Sequence, residues 1–253
     1  MENHEGLDKL FFELASESRL DILRELRANK RKMQEIAKKL DITDTEACRQ
    51  IKRLSDELLI HKHPDGAYTI SNYGKLILEL LQPLEFVVKY KEYCLEHDFW
   101  KLPQIFIRRL DELSEGTLKT ELAESVNGIQ EMVQSADDHI WTITDQIIAT
   151  HSYATASQLL KGVKSLTLVP ERLSSSPLCQ IAAGKNAGWR YMPEVPGVIM
   201  VTEKEAFVFL YMLEGKMDYE AFFGSDPAFI KWAEDLFNYF WEKGTPFYPK
   251  QKQ

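Results

Sequence analysis

The chain has 253 residues, room for two domains at about 100–200 residues each, and its balance of 44% hydrophobic to 28% charged residues excludes a disordered or fibrous protein. Lys and Arg total 31 against 39 Asp and Glu, a formal charge of −8 that over the whole chain argues against a nucleic-acid partner. Cys48, Cys94 and Cys179 form no CxxC or CxC pair, the N-terminus lacks signal-peptide order, and no run reaches the ~18–20 apolar residues of a membrane helix. The expectation is a cytoplasmic protein without disulfides, metal, cofactor or membrane.

Leu7, Leu10, Phe11 and Leu14, then Leu20, Ile22, Leu23 and Leu26, have helical spacing. The break Ala15-Ser16-Glu17-Ser18 supplies hydroxyls to cap a second helix. After the basic run Lys30-Arg31-Lys32, a short helix is predicted over 33–40. Thr43-Asp44-Thr45-Glu46 fits a capping box, and a fourth helix should run from Asp44 to about Glu57. Its stripe Ala47, Ile51, Leu54 and Leu58 faces a core, and Thr45, Arg49, Gln50, Lys52 and Arg53 are expected opposite. Leu59–His63 and Ala67–Ile70, joined by Pro64-Asp65-Gly66, read as a hairpin, followed by a helix from Lys75 to Leu81.

Three helices, a turn, a fourth helix and a hairpin are the order of a winged helix-turn-helix, whose polar helix enters the major groove. The stretch Ala15–Leu26, the run Gln50-Ile51-Lys52-Arg53-Leu54 and Leu58-Leu59-Ile60 resemble ArsR-type winged-helix regulators. Leu58 stands where such a helix often ends in Gly, so the helix is expected to run on or bend without a left-handed cap. The paired metal-binding cysteines of many ArsR proteins are missing from 33–40, so DNA binding is carried over and metal sensing is not. The DNA-facing set is Thr45, Glu46, Arg49, Gln50, Lys52, Arg53, Lys62, His63 and Tyr68. Arg49 and Gln50 suit base edges, and Lys52, Arg53, Lys62 and His63 suit phosphate. Cys48 reads as a small packing residue beside the buried stripe, with a redox switch as the alternative.

From Leu84 to Leu95 an amphipathic helix links the halves, either as a dimer seam or packed on its own chain. Helices follow around Ile105–Leu113 and at 129–135, with a polar segment through Glu124 between them. Strands are expected at 140–144, 165–169, 189–192, 198–202, 206–212 and 220–223. Helices are expected at 152–160 and 177–183, and over 227–241 behind an Asp226 cap. The alternation implies an α/β domain with a mixed sheet.

His97-Asp98, Leu102-Pro103, Arg108-Arg109-Leu110, Trp141–Asp145, Gly162-Val163-Lys164 and Phe223–Pro227 with Trp232, Phe237 and Trp241 resemble the domain of archaeal winged-helix regulators named after methanogenesis regulation. That domain is similar in turn to the phospholipase-D-like sensor domain of TrmB-type regulators. Such catalysis needs His-x-Lys, and none of the six histidines has Lys two positions on. Gly-x-Ser-x-Gly, phosphate-loop and zinc motifs are likewise missing, and His97-Asp98 reads as a turn-stabilising pair. A non-catalytic α/β domain would sense an effector beyond the carboxyl ends of its strands. Asp145, His151, Glu171, Arg172, Trp189, Tyr191 and Glu203 fall there, a set suited to a polyol or a cation.

The fold class is therefore α+β: a winged helix-turn-helix over 1–83, a helical linker or dimerisation segment over 84–104, and a phospholipase-D-like α/β sensor over 105–253 without the catalytic motif. The leading function is a transcriptional regulator, a homodimer on a palindromic operator of double-stranded DNA, answering to a small-molecule effector or partner. A phosphodiesterase or nuclease relative and a protein-interaction module are the alternatives. Residues 1–83 hold 14 basic and 15 acidic residues, 84–253 hold 17 and 24, and 30–62 hold 9 and 6. The acidity belongs to the second domain, and the DNA-reading segment is locally basic.

Overall fold

In the computed structural model, which describes residues 6–248, the first apolar stripes become α1 (Leu7–Leu14), α2 (Glu17–Ala28) and α3 (Met33–Lys39). α4 (Asp44–Asp56) follows, then the hairpin β2 (Ile60–Lys62) and β3 (Ala67–Ile70). The basic run, expected to be a connection, contains β1 (Arg31–Lys32), which pairs antiparallel with β3 in a sheet ordered β1-β3-β2. Ile22, Leu23, Ile36, Ile51, Leu54, Leu59 and Ile70 close the core of this first unit, whose boundary with the second falls between Gln82 and Pro83.

Ser16 occupies the N-cap of α2, but its hydroxyl makes no cap bond. The α1–α2 junction is held by Arg19 instead. Its Nη2 donates to the Phe12 carbonyl at 2.7 Å and its Nε to the Glu13 carbonyl at 2.7 Å, both in the last turn of α1, where carbonyls lack helical partners. Its Nη1 reaches across to Gln50 Oε1 at 2.9 Å, which ties α4 to the same point.

Leu58 departs from expectation in the opposite direction to a run-on helix. It adopts φ +59°, its N–H bonds to the Ser55 carbonyl and that of Leu59 to the Leu54 carbonyl. This is the Schellman closure normally made with Gly. The chain thus accepts a left-handed leucine, 68% exposed, in order to turn sharply into β2. Ser71 supports the turn by donating to the Leu58 carbonyl at 2.7 Å while accepting from the Gly74 N–H at 2.9 Å. A Cβ on Gly74 would lie 2.3 Å from the Leu59 carbonyl oxygen, so the start of α5 (Asn72–Lys89) can approach the hairpin only without a side chain there. α5 continues through Pro83, where two helices were expected.

In the second unit, α6 (Lys91–Glu96), α7 (Gln104–Ile107), β4 (Thr117–Lys119) and α8 (Leu122–Ser135) precede the parallel strands β5 (His139–Ile143), β6 (Lys164–Pro170) and β7 (Ala187–Met192). α9 (Ala149–Leu160) connects β5 to β6. The antiparallel strands β8 (Gly197–Thr202), β9 (Ala206–Leu210) and β10 (Ala221–Gly224), then α10 (Pro227–Trp241) and β11 (Thr245–Pro246), complete a mixed eight-stranded sheet. Its order is β11-β7-β6-β5-β8-β9-β10-β4. Asp226 caps α10 as the sequence predicts, accepting from the Ala228 and Phe229 N–H groups at 3.0 and 3.1 Å.

The sheet alternates with period two. Ile143, Leu168, Ile199, Val201 and Val208 face α10 and its buried Trp232, Leu236 and Phe237. Phe86, Tyr93, Leu102 and Phe106 join this core, so the segment 84–104 packs into the second unit instead of bridging as a free linker. On the other face, under α8 and α9, one register row reads Trp189, Thr167, Thr142, Met200, Phe207 and Phe223 across six strands. α8 begins seven residues earlier than its apolar pattern suggested, because its buried face carries Ser125 and Gly128. The Ser125 hydroxyl donates to the Tyr219 carbonyl at 2.9 Å, and Gly128 lies against Phe223. The predicted helix at 177–183 is a short 3-10 turn, Pro177–Gln180.

A left-handed non-glycine residue costs about 1–2 kcal/mol. Leu58→Gly is therefore expected to raise the stability of the first unit by about 1 kcal/mol in urea titration, with the m-value unchanged.

Candidate functional site

Two places collect the chemistry read from the sequence. The first is the outer face of α4. Thr43 caps the helix by accepting from the Glu46 N–H at 3.2 Å, but the capping box stays half-made. The Glu46 carboxylate turns instead to Arg49, at 2.7 Å, and to the Gln50 amide. Thr45, Cys48, Arg49 and Lys52 form the exposed stripe, with the Arg49 side chain 68% exposed. Cys48 is exposed, which overturns its reading as a packing residue.

Gln50 and Arg53 do not belong to that stripe. Gln50 is only 4% exposed, with both ends of its amide engaged by Arg19 and Glu46. It secures the interior and is not presented as a base reader. Arg53 pairs with the buried Glu13 at 3.0 Å and lies 4.9 Å over the Phe12 ring, so its charge is committed to the α1–α4 contact. The sequence missed this because a helix wheel cannot show that α1 brings a carboxylate to that side of α4.

The hairpin adds further cations. Lys62 is exposed, with its Nζ 5.8 Å over the Tyr68 ring. His63 Nε2 lies 2.8 Å from Thr69 Oγ1. β1 sets Arg31 and Lys32 beside β3, and Lys30 pairs with Asp65 of the turn at 2.7 Å.

The second place is the sheet face under α8 and α9. A cavity of about 100 Å³ is lined by residues including Thr142, Ser165, Thr167, Ser152, Thr155 and Trp189. Of the seven residues expected to bind an effector, only His151 and Trp189 line it. Asp145 and Arg172 meet at 3.5 Å in a separate pocket beside Tyr211, where burial first, and then the Asp145 charge, push the Tyr211 hydroxyl far up. Glu171 is exposed, and Tyr191 packs edge-on to Phe247. Glu203 lies at the opposite end of the sheet, because β8 runs antiparallel to β5 and pairs Thr202 with Ile140. There its carboxylate accepts from the Asp137, Asp138 and His139 N–H groups at 2.8–3.3 Å. Burial pushes Glu203 up, and those backbone donors outweigh it and hold the group below its ordinary value.

The cavity lining contains no Asp, Glu, Lys or Arg, so the acidic, polyol- or cation-binding set expected from sequence is not assembled. The hydroxyls that replace it had a signal: in Trp141-Thr142-Ile143 and Ser165-Leu166-Thr167-Leu168 every second residue is Ser or Thr. Strands covered on both faces usually read as continuous apolar runs. Burial pushes His151 below its ordinary value, opposed by its bond to the Val126 backbone. The remaining buried histidine of note, His97, stacks on Tyr93 at 3.6 Å, donates from Nδ1 to the Tyr93 carbonyl and sets Nε2 3.1 Å from Asp218. Asp98 caps the next turn through the Trp100 N–H, so the two neighbours serve different partners. Among the described residues no group of three or more His, Cys, Asp or Glu is placed to hold a metal, and no helix is long and apolar enough to cross a membrane.

Residues 7–92 match the family model of the HVO_A0261 N-terminal domain, and residues 178–243 match that of the middle domain of the methanogenesis regulatory protein FilR1. No curated protein matches. Among solved structures the chain is similar to TrmBL2, described as an archaeal chromatin protein with a novel mode of DNA binding, at 17% identity over 92% of this chain and 94% of that one, with a TM-score of 0.45. It is also similar to NucT from Helicobacter pylori, at 15% identity over 52% and 98% with a TM-score of 0.43. The phospholipase D family member Nuc from Salmonella typhimurium matches at 11% identity over 53% and 99%, also at 0.43.

Because the folded Glu203 value is depressed, its contribution to stability is full above the ordinary value of 4.5 and is lost as pH falls through the folded value. Glu203→Gln should cost about 1 kcal/mol at pH 7, and the two proteins should converge in acid-denaturation curves below that window.

Proposed function

We propose that the chain is a transcriptional regulator whose first domain, over 1–83, is an ArsR-like winged helix-turn-helix and whose domain over 105–253 binds an effector. The observation that carries this reading is the outer stripe of α4. Thr45, Arg49 and Lys52 stand outward from a helix whose other side is locked into the core by Gln50, Ile51 and Leu54. An α-helix fits the major groove, and Arg presents its fork to guanine O6 and N7. The Arg49–Glu46 pair does not oppose this, since an exposed, solvent-screened i,i+3 pair contributes little and opens readily. Lys52 suits a phosphate, and Lys62 and Tyr68 on the hairpin suit the neighbouring backbone. The match of 178–243 to a domain of a methanogenesis regulatory protein supports a regulatory role. The engagement of His97 with Tyr93 and Asp218 supports a fold role for that histidine rather than a catalytic one.

The homodimer on a palindromic site is the second part of the proposal. α5 leaves Tyr73, Leu76 and Leu80 exposed, at steps of three and four that place them along one apolar strip. A run of exposed large apolar residues on one helix marks an association surface. A two-fold pair of first domains would present two α4 helices to half-sites about 34–36 Å apart.

In gel shifts on the gene's own upstream region, Arg49→Glu with Lys52→Glu should abolish preference over random DNA, whereas Lys62→Ala should keep the preference and reduce the salt slope by about 1. Equal binding of operator and random duplex by the unaltered protein sinks the reading. Separately, Leu80→Glu should convert a dimer into a monomer in sedimentation velocity and weaken operator binding with it; an unaltered chain that sediments as a monomer at operator-binding concentrations refutes the dimer.

A further inference from the structure

Trp189 is 7% exposed, lines the cavity, and its indole Nε1 is buried without a hydrogen-bond partner. His151, from α9, lines the same cavity and leaves Nε2 equally buried and unpartnered. Leaving a buried polar atom unsatisfied costs about 1–3 kcal/mol, and native folds rarely keep two of them on one cavity. An indole N–H can only donate. A neutral imidazole protonated at Nδ1 keeps Nε2 as an acceptor. One donor and one acceptor are what a hydroxyl group needs, since it accepts and donates at once.

The rest of the lining fixes the body of the guest. Phe207, Phe209, Met200, Val198 and Ile129 form apolar walls beside the Ser and Thr hydroxyls of the lining, and no formal charge faces the space. A carboxylate or ammonium would enter without a counter-charge, which burial penalises heavily. The volume of about 100 Å³ is somewhat below the roughly 150 Å³ of an apolar cavity known to admit benzene, so the guest is no larger than about a single small ring. The mouth is framed by the exposed Gln146 and Ile148 and by Met217. The Gln146 amide donates to the Met217 sulfur at 2.8 Å, a weak acceptor.

We infer that this cavity is a binding site for an uncharged small molecule with an apolar, ring-sized body and one hydroxyl, its oxygen accepting from Trp189 Nε1 and its proton donated to His151 Nε2. The inference rests on the reading of 105–253 as the effector-binding domain, yet its test contains no DNA, so its failure and that of the DNA-binding reading are distinct.

The full-length protein is titrated by calorimetry with phenol, benzene, benzoate and glucose. Phenol is expected to bind saturably at one site per chain, tighter than benzene, while benzoate and glucose do not bind. Trp189→Phe, which keeps the burial and removes the donor, should weaken phenol about three- to tenfold and leave benzene unchanged. A second readout needs no variant: of the five tryptophan indole N–H resonances of the unaltered protein, one should move on adding phenol. Absence of phenol binding, a preference for benzoate or glucose, undiminished phenol affinity in Trp189→Phe, or indole resonances that all stay fixed at saturation would each overturn the inference.

Discussion

A buried hydrogen-bond donor must find an acceptor, and that requirement organises both units of this chain. Arg19 carries five N–H donors and no acceptor. Once its side chain is enclosed, its donors fix the end of α1, the start of α2 and the inner face of α4 at one point. Gln50 is drawn inward as the acceptor, and Glu13, buried beside Arg19, draws in Arg53. What remains outside on α4 is the residue of that accounting: Thr45, Cys48, Arg49 and Lys52. The proposed DNA face is therefore defined by what the interior does not use.

In the second unit the same requirement is met at one end of the sheet and unmet in its middle. Glu203 accepts from three consecutive backbone N–H groups, which closes the turn into β5. Under α9, Trp189 and His151 line the cavity and keep a buried ring nitrogen without a hydrogen-bond partner. The acidic residues near the strand ends were poor guides, since Glu203 is a fold residue and Asp145 lies in a separate pocket with Arg172.

Backbone constraints are concentrated where the elements turn. Leu58 accepts a left-handed conformation, and Gly74 gives up its side chain, so that β2 and α5 can follow α4 closely. Both lie within the hairpin region, and together they hold the proposed DNA-contacting strands at a fixed distance from α4. The overall charge fits this arrangement: cations gather between Lys30 and Lys62, while the acidic excess of the second domain disfavours non-specific attachment to a duplex.

Much was legible in the residues alone. Periodicity of 3.6 and 2, caps such as Asp226 and the Pro-Asp-Gly turn are local, so most of the helices and strands and the hairpin could be read without coordinates. The α8 start was hidden because Ser125 and Gly128 do the burying there, and no hydrophobicity pattern records a glycine packed on Phe223. Which of several polar residues on α4 face outward, which end of the sheet receives Glu203, and that Thr142, Thr167 and Trp189 share one register row depend on partners far away in sequence. Strand direction and long-range pairing set those neighbours, and a side chain's role follows from its neighbours. The sequence determined the elements and their chemistry; the tertiary structure decided which polar groups are satisfied and which remain available.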